Sequence, residues 1–263
     1  MSIDYTGTTA LVTGASAGLG AEFARQLAAR GADLVLVARR EDRLRSLADE
    51  LRPTGRTVTV IAADLAAPDA ASQLAVELAD RGISIATLVN NAGFGTRNRF
   101  ENEDAARIAE EVDLNVGAVV DLTKAFYDQL QANDRGALIT VASTAAYQPV
   151  PLMAVYGATK AFVLSFTEAL WFENRDRALG VLCLSPGATS TEFFEIAGEH
   201  AQVGDFQTPR QVVALALRTL DRRSAPPSIV SGTRNRATAW SVRLVSRRLA
   251  ARLSGQVALR NPV

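Results

Sequence analysis

The chain has 263 residues, of which 48% are hydrophobic and 21% charged, with 28 basic and 28 acidic side chains. This composition indicates a globular core and excludes a disordered chain or a fibrous repeat. A single cysteine, Cys183, and a single histidine, His200, exclude an internal disulfide framework and metal sites built from those residues. We therefore expect one domain over residues 1–263, no resident metal, and acid–base chemistry from other side chains.

Short aliphatic runs alternate along the chain with longer segments of helical period. The predicted strands cover 8–13, 33–38, 57–62, 86–90, 136–142, 180–184 and 227–231. The predicted helices cover 18–30, 41–52, 68–81, 101–132 as two helices, 154–176, 209–221 and 235–253. Several strands are apolar without alternation, which is typical of strands buried on both faces. The pattern predicts an α/β fold, a Rossmann-like doubly wound parallel sheet of about seven strands with helices on both faces.

The first residues of the chain carry Asp4, where a secretion signal would need basic residues followed by an apolar run. We therefore expect a cytoplasmic protein.

The first predicted strand runs directly into a glycine-rich turn, from Gly14 to Gly20, ahead of an Ala- and Leu-rich helix. Glycines let the backbone approach a pyrophosphate, and a helix N-terminus offers free N–H groups to it. The spacing G-x-x-x-G-x-G differs from the common G-x-G-x-x-G fingerprint, and the Gly-Lys-Ser/Thr of a P-loop is absent. From these residues alone, a dinucleotide turn and a turn without a ligand both remain open.

The second predicted strand ends at two arginines, Arg39 and Arg40, about 20 residues beyond the turn, where NAD-binding proteins carry an acid for the ribose 2′-hydroxyl. Guanidinium groups suit a 2′-phosphate instead, and the hydroxyl of Ser16 could donate to it from the turn. We therefore expect NADP(H) in preference to NAD(H). A solvated helical turn of mixed charge is the alternative.

Tyr156 and Lys160 are four residues apart at the start of a predicted helix, so both project from one face. A nearby ammonium favours phenolate and would bring the tyrosine pKa down from about 10 toward a working value for a base. Ser143 follows a predicted strand at its C-terminal end, where ligands bind in such sheets, and could orient a substrate oxygen. A chance pair on a solvated helix and a turn-forming serine are the alternatives.

An ordered set of motifs resembles the short-chain dehydrogenase/reductase family over residues 8–231. The motifs are Thr13-Gly14-(x)3-Gly18-Leu19-Gly20, Asp64-Leu65, Asn90-Asn91-Ala92-Gly93, Asn115, Ser143, Tyr156-(x)3-Lys160 and Pro186-Gly187-(x)3-Thr191. The resemblance implies hydride transfer between NADP(H) and a carbonyl or alcohol substrate. A catalytically silent dinucleotide-binding or scaffolding protein of the same fold is the alternative function.

The resemblance also implies a role for each matching residue. Tyr156 would be the general acid or base, and Lys160 would lower its pKa and bind the nicotinamide ribose. Ser143 would hold the substrate oxygen, and Asn115 would position a relay water. The cofactor would lie against Gly14, Ser16, Gly18, Leu19, Gly20, Arg39, Arg40, Asp64, Leu65, Asn91, Ala92, Gly93, Tyr156, Lys160, Pro186, Gly187, Thr189 and Thr191.

The connection over residues 188–208 is predicted to be a substrate lid, because it is long and weakly periodic. Apolar side chains from this loop and from the region before Tyr156 predict an apolar pocket: Phe193, Phe194, Ile196, Phe206, Tyr147, Val150, Leu152 and Met153. We expect an apolar ketone, aldehyde, steroid-like or 3-oxoacyl substrate. Packing of the two adjacent phenylalanines onto the domain is the alternative.

The end of the chain, residues 234–263, is predicted to be a basic amphipathic extension. No acid follows Asp221, whereas nine arginines do, so residues 1–221 carry 19 basic and 28 acidic groups, a net −9. Packing within the protein or an oligomer, contact with an anionic membrane, and a solvated tail all remain open for this segment. We expect a homodimer or homotetramer. We expect no nucleic-acid partner, because no recognised nucleic-acid-binding module accompanies the positive charge.

Overall fold

The computed structural model describes residues 3–134, 136–192, 207–222 and 224–259. Its strands are β1 (Thr9–Thr13), β2 (Asp33–Ala38), β3 (Val58–Ala62), β4 (Thr87–Asn90), β5 (Ala137–Val141), β6 (Gly180–Ser185) and β7 (Ser228–Val230). They form one parallel sheet in the order β3-β2-β1-β4-β5-β6-β7. The predicted doubly wound fold is confirmed, and no strand end differs from the prediction by more than one residue.

Helices pack on both faces of this sheet. The helices among the described residues are α1 (Gly18–Ala29), α2 (Glu41–Leu51), α3 (Ala70–Asp80), α4 (Ala105–Val112), α5 (Ala118–Ala132), α6 (Ala154–Glu173), α7 (Pro209–Leu220), α8 (Thr233–Ser241) and α9 (Arg247–Leu259). Among the described residues, no helix is both long enough and apolar enough to cross a bilayer.

Successive residues of each strand point to opposite faces of the sheet, and helices cover both faces, so the sheet is buried on both sides. In β1, Val12 belongs to the core shared with α1 and α2, and the preceding Leu11 belongs to the core shared with α3 and α5. Cys183 is fully buried in β6.

The strand order places residues of several sequence motifs at one edge of the sheet. The order reverses between β1 and β4, because β1 is followed on one side by β2 and β3 and on the other by β4 to β7. Ligands of open parallel sheets bind at the carboxyl ends of the strands beside such a reversal. Gly14, Asn91, Ser143 and Pro186 all lie just beyond these ends.

The predicted helical region 101–132 contains a change of helical pitch. A π-helical turn, Asp113–Gly117, separates α4 from α5. Such turns leave the regular bonding pattern and occur frequently at functional sites. Asn115 lies in this turn and is fully buried.

The prediction of one continuous helix over 235–253 is wrong. Two helices occupy this region, separated by a 3-10 turn at Val242–Leu244 and by Val245, whose backbone is extended. Ser246 starts the second helix, because its Oγ accepts a hydrogen bond from the N–H of Leu249 at 3.3 Å. A serine that caps a helix in this way competes with helix continuation, and the periodicity of the sequence did not reveal it.

Candidate active site

Tyr156 and Lys160 lie on the first turns of α6 and are both buried. The Lys160 Nζ is 5.8 Å from the centre of the Tyr156 ring and donates a hydrogen bond to the carbonyl of Val141 at 3.0 Å. Val141 is the last residue of β5, so the lysine ties α6 to the end of the neighbouring strand. The i, i+4 pair predicted from the sequence is therefore a buried pair facing the sheet.

Ser143 stands two residues beyond the end of β5, in front of Tyr156. Its Oγ accepts a hydrogen bond from the N–H of Ala145 at 3.1 Å and also hydrogen-bonds the Tyr156 side chain. The serine is thus a turn former and a neighbour of the tyrosine hydroxyl at the same time. The two hydroxyls lie where one oxygen of a ligand could contact both.

Asn115 links the π-helical turn to the loop after β4 and to α6. Its Nδ2 donates to the carbonyl of Phe94 at 2.8 Å and to Thr159 Oγ1 at 3.1 Å, and its Oδ1 accepts from the N–H of Phe94 at 3.1 Å. A Cβ added to Gly93 would lie 2.7 Å from Asn115 Oδ1 and 3.2 Å from Lys160 Nζ. A side chain at this position would collide with Asn115 and crowd Lys160, so glycine fits here best.

Burial dominates the ionisation of the tyrosine and the lysine. Burial raises the pKa of Tyr156 to about 12, with the hydrogen bond from Ser143 lowering the pKa and the charge of Glu111 raising it. Burial lowers the pKa of Lys160 to about 8. The expected lowering of the tyrosine pKa by the Lys160 ammonium is not seen, because burial is the largest cause of the shift and Ser143, not Lys160, is the group that lowers the pKa. Tyr156 is therefore a phenol at neutral pH.

Glu111 is a fully buried carboxyl one helical turn before Asn115. The sequence motifs do not identify it as a site residue. Its Oε2 accepts from the N–H of Thr96 at 3.1 Å and from Thr96 Oγ1 at 2.8 Å, whereas its Oε1 has no partner among the described residues. Burial raises the pKa of this carboxyl. Nothing in the sequence distinguishes it from its neighbour Glu110, which pairs with arginines at the surface.

The glycine-rich turn brings the ends of β1 and β4 together. Gly14 has φ +63°, and a Cβ at Gly20 would lie 2.2 Å from the carbonyl oxygen of Gly14. Asn91 Nδ2 donates to the carbonyl of Thr13 at 2.8 Å, and Thr13 Oγ1 accepts from the N–H groups of Asn91 and Ala92 at 2.9 and 3.0 Å. No side chain caps the start of α1 among the described residues, so its first N–H groups are open to a ligand.

The predicted phosphate-binding residues separate into two groups. Arg40 donates to Ser16 Oγ through Nε at 3.3 Å and Nη2 at 3.0 Å, whereas Arg39 pairs with Glu110 on α4 at 2.9 Å. The structure thus brings Arg40 to the turn and directs Arg39 away from it. Nothing in the sequence distinguishes the two adjacent arginines.

A carboxylate from a distant segment contacts two arginines near the glycine-rich turn. Glu192, from the segment after β6, pairs with Arg40 Nη1 at 2.8 Å and also contacts Arg43. Burial raises the pKa of Glu192, but the hydrogen bonds and charges of the two arginines outweigh it, so the pKa is lowered overall. Arg43 was not among the predicted cofactor residues, and its position here follows only from the path of the distant segment.

The residues after β6 cross over the glycine-rich turn. Gly187 donates from its N–H to Ser231 Oγ at 3.3 Å, and Thr189 bridges to Gln207. The side chain of Thr191 lies 3.0 Å from the place of an added Cβ at Gly18. The predicted lid side chains Phe193, Phe194, Ile196 and Phe206, as well as His200, lie outside the described residues.

The remaining predicted cofactor residues lie at the edges of the same cleft. Asp64 is exposed beyond β3 and accepts from the N–H of Ala66 at 3.1 Å. Leu65 is buried in the core, and Leu19 packs against the core from the first turn of α1. Leu65 therefore has a packing role in addition to any contact with a ligand.

Comparison with known proteins gives a consistent result. A family model described as short chain dehydrogenase matches residues 8–202. The 17-beta-hydroxysteroid dehydrogenase type 3 of Mus musculus is 32% identical over 189 residues, which cover 70% of this chain and 61% of that protein. The 7beta-hydroxysteroid dehydrogenase of Mediterraneibacter gnavus is 33% identical over 243 residues, 88% of this chain and 89% of that protein. The chain spans about three fifths of the length of the type 3 relatives.

Solved structures resemble this chain over most of its length. A short-chain dehydrogenase from Sphingobium yanoikuyae in complex with NADPH has a TM-score of 0.79 at 33% identity, covering 89% of this chain and 92% of the other. A 7beta-hydroxysteroid dehydrogenase has a TM-score of 0.86 at 26% identity, covering 97% of this chain and 100% of the other.

Proposed function

This chain belongs to the short-chain dehydrogenase/reductase family, and from that premise we propose that it is an NADP(H)-dependent oxidoreductase that interconverts a carbonyl and an alcohol. One observation carries the proposal. Tyr156, Lys160 and the neighbouring Ser143 meet at the carboxyl edge of the sheet, beside a turn with open N–H groups. The direct test is oxidation of NADPH in the presence of a panel of carbonyl compounds.

The residues of the cleft fit NADP(H). The cleft is free of side chains at Gly14, Gly18 and Gly93, and side chains at these positions would fill it. Arg40, Arg43 and Ser16 form a donor set for a 2′-phosphate, because guanidinium groups match phosphate oxygens in charge and geometry. The NADPH complex of the Sphingobium yanoikuyae relative supports the same assignment.

Reduction of the carbonyl requires a proton donor, and Tyr156 is suited to that task. Its hydroxyl and that of Ser143 would hold the substrate oxygen from two sides, and the phenol would donate its proton to that oxygen. The bound nicotinamide supplies the hydride. Lys160, held by the carbonyl of Val141, would orient the cofactor ribose.

Asn115 would act through its backbone rather than through its side chain. Its side-chain amide is fully engaged by Phe94 and Thr159. The π-helical turn leaves carbonyl groups out of the regular bonding pattern, and one of them could hold the relay water.

The substrate is proposed to be an apolar carbonyl or alcohol of roughly steroid size. Met153 and Tyr156 form a small buried apolar cluster with Val150 and Ala145 packed against it. A Cβ at Gly95 would lie 3.2 Å from the methyl of Met153, so these groups are close together beside the tyrosine. The hydroxysteroid dehydrogenases among the relatives support a substrate of this class.

The pH dependence of the two reaction directions should differ. Because burial raises the pKa of Tyr156 to about 12, the phenol form needed for reduction stays fully populated at neutral pH. The kcat/KM for reduction should be flat between about pH 6 and pH 7, below the pKa of about 8 that burial gives Lys160, whereas the value for oxidation should rise about tenfold per pH unit over that range, as the phenolate fraction does. Initial rates over this range check the expectation. A reduction profile that already falls between pH 6 and pH 7 would show that the tyrosine ionises far more easily than its burial implies.

A further inference from the structure

The chain beyond Asp221 differs in charge from the rest of the protein. It contains nine arginines and no acidic residue, so its formal charge is +9. Within it, α8, the 3-10 turn Val242–Leu244 and α9 follow the last strand of the sheet.

Helix α9 presents its small residues to the protein and its large apolar residues to the outside. The inner face, buried or partly buried, consists of Ala250, Ala251, Ser254, Gly255 and Ala258. Gly255 packs against Pro151, and the carbonyl of Ala258 accepts a hydrogen bond from Arg97 Nη2 at 3.1 Å. The helix of a monomeric water-soluble protein normally does the reverse and buries its large apolar residues.

The outward apolar residues extend from α8 to the end of α9. Of the eleven exposed large hydrophobic side chains among the described residues, six lie within residues 240–259. We call these six the C-terminal apolar face: Trp240, Leu244, Leu249, Leu253, Val257 and Leu259. Trp240 is 65% exposed and Leu244 86% exposed. Six such residues in so short a segment make a patch rather than scattered surface residues.

Arginines alternate with the apolar residues on this face. Arg252 lies beside Leu253, and the guanidinium of Arg243 lies 5.6 Å from the centre of the Trp240 ring. The exposed arginines in question are Arg243, Arg247, Arg248 and Arg252. Within the part of the chain that the structure describes, none of them pairs with a carboxylate, whereas most arginines of the acidic body do.

These features identify the kind of partner. A second copy meeting this face through a twofold axis would bring arginines against arginines, because the segment holds no acid to pair with them. A bilayer with anionic headgroups supplies both an apolar interior for the leucines and negative charge for the arginines, and tryptophan favours its interface. We propose that the C-terminal apolar face docks this protein onto the surface of an anionic phospholipid bilayer.

Docking would bring the bilayer next to the substrate end of the cleft. Arg97 and Pro151, which hold α9, belong to the two loops that flank Tyr156, since Gly95 and Met153 in the same loops contact the tyrosine. An apolar substrate dissolved in the bilayer would then reach the cleft directly. This consequence rests on the proposed function, whereas the docking itself does not.

The test is cosedimentation of the full chain with vesicles of phosphatidylcholine, with and without about 30 mol% phosphatidylglycerol. We expect binding to the anionic vesicles that weakens as the salt concentration rises. Replacing both Arg248 and Arg252 by glutamine should weaken partitioning about 25-fold, at about fivefold for each charge. Replacing both Leu244 and Leu253 by serine should weaken it about tenfold or more.

The matched control carries the same kinds of substitution elsewhere on the surface, Val76→Ser on α3 and Arg52→Gln after α2. Both positions are exposed. The control should bind vesicles like the unaltered protein, and all variants should keep the same melting temperature and the same affinity for NADPH. Intact NADPH binding separates a loss of docking from a failure of the proposed function.

Three results would overturn the docking proposal. The first is no binding to anionic vesicles, and the second is equal binding to purely neutral vesicles. The third is that the unaltered protein is a homo-oligomer in solution, that the leucine double variant is a monomer, and that neither protein binds vesicles. The C-terminal apolar face would then contact a second copy.

Discussion

Replacing Tyr156 by phenylalanine is expected to lower kcat for carbonyl reduction by about 10³-fold, within the range that a positioned general acid contributes. The substitution removes only the hydroxyl, which hydrogen-bonds Ser143 inside the buried cluster. The ring would keep its packing against Met153, so affinity for NADPH should change little. Steady-state rates of NADPH oxidation and fluorescence titration with NADPH measure the two quantities.

Tyr127→Phe is the matched control for this prediction. Tyr127 lies on α5, where its hydroxyl accepts a hydrogen bond from Asn174 Nδ2 at 2.6 Å. Asn174 directly follows the last residue of α6, whereas Tyr156 lies at the opposite end of that helix. The variant should lose some stability and keep its activity. If Tyr156→Phe retains activity within tenfold of the unaltered protein, the tyrosine is not the proton donor. If the unaltered protein binds NADPH but reduces no compound of a broad panel, the catalytically silent alternative is favoured.

The second large effect is expected for Arg40, beside the glycine-rich turn. Replacing Arg40 by glutamine should lower kcat/KM for NADPH about 10- to 100-fold, the value of one charge-assisted hydrogen-bonding group, and leave the value for NADH almost unchanged. The reason is that Arg40 already contacts Ser16 in the turn and faces the same carboxylate as Arg43. Parallel assays with the two cofactors check the prediction.

Two companion variants sharpen the assignment. Arg39→Gln should have a smaller effect on NADPH, because this side chain pairs with Glu110 on α4. Glu192→Gln should act in the opposite direction and raise affinity for NADPH several-fold, because its carboxylate competes with a 2′-phosphate for the same guanidinium groups. An unchanged cofactor preference in Arg40→Gln, or a larger loss in Arg39→Gln, would reverse the assignment of the two arginines.

Much of the fold could be predicted because its determinants are local. Aliphatic runs such as residues 34–37 in β2 are buried on both faces, and helical periods of matching length follow them. The spacing of Gly14, Gly18 and Gly20 reflects backbone requirements that only glycine meets at those places. The break between α8 and α9 was missed because one serine cap outweighed a continuous apolar period.

The sequence by itself determined the order of the strands and helices and which residue types could serve at the end of each strand. It did so because periodicity, turn geometry and helix spacing act between residues that are close along the chain. The tertiary structure decided which of two adjacent arginines reaches the turn, that Glu111 is buried behind Asn115, and that α9 turns its leucines outward. These outcomes depend on segments far apart in sequence. The tertiary structure also decided the ionisation of Tyr156 and Lys160. Their pKa values follow from burial, and burial exists only once the surrounding elements have packed.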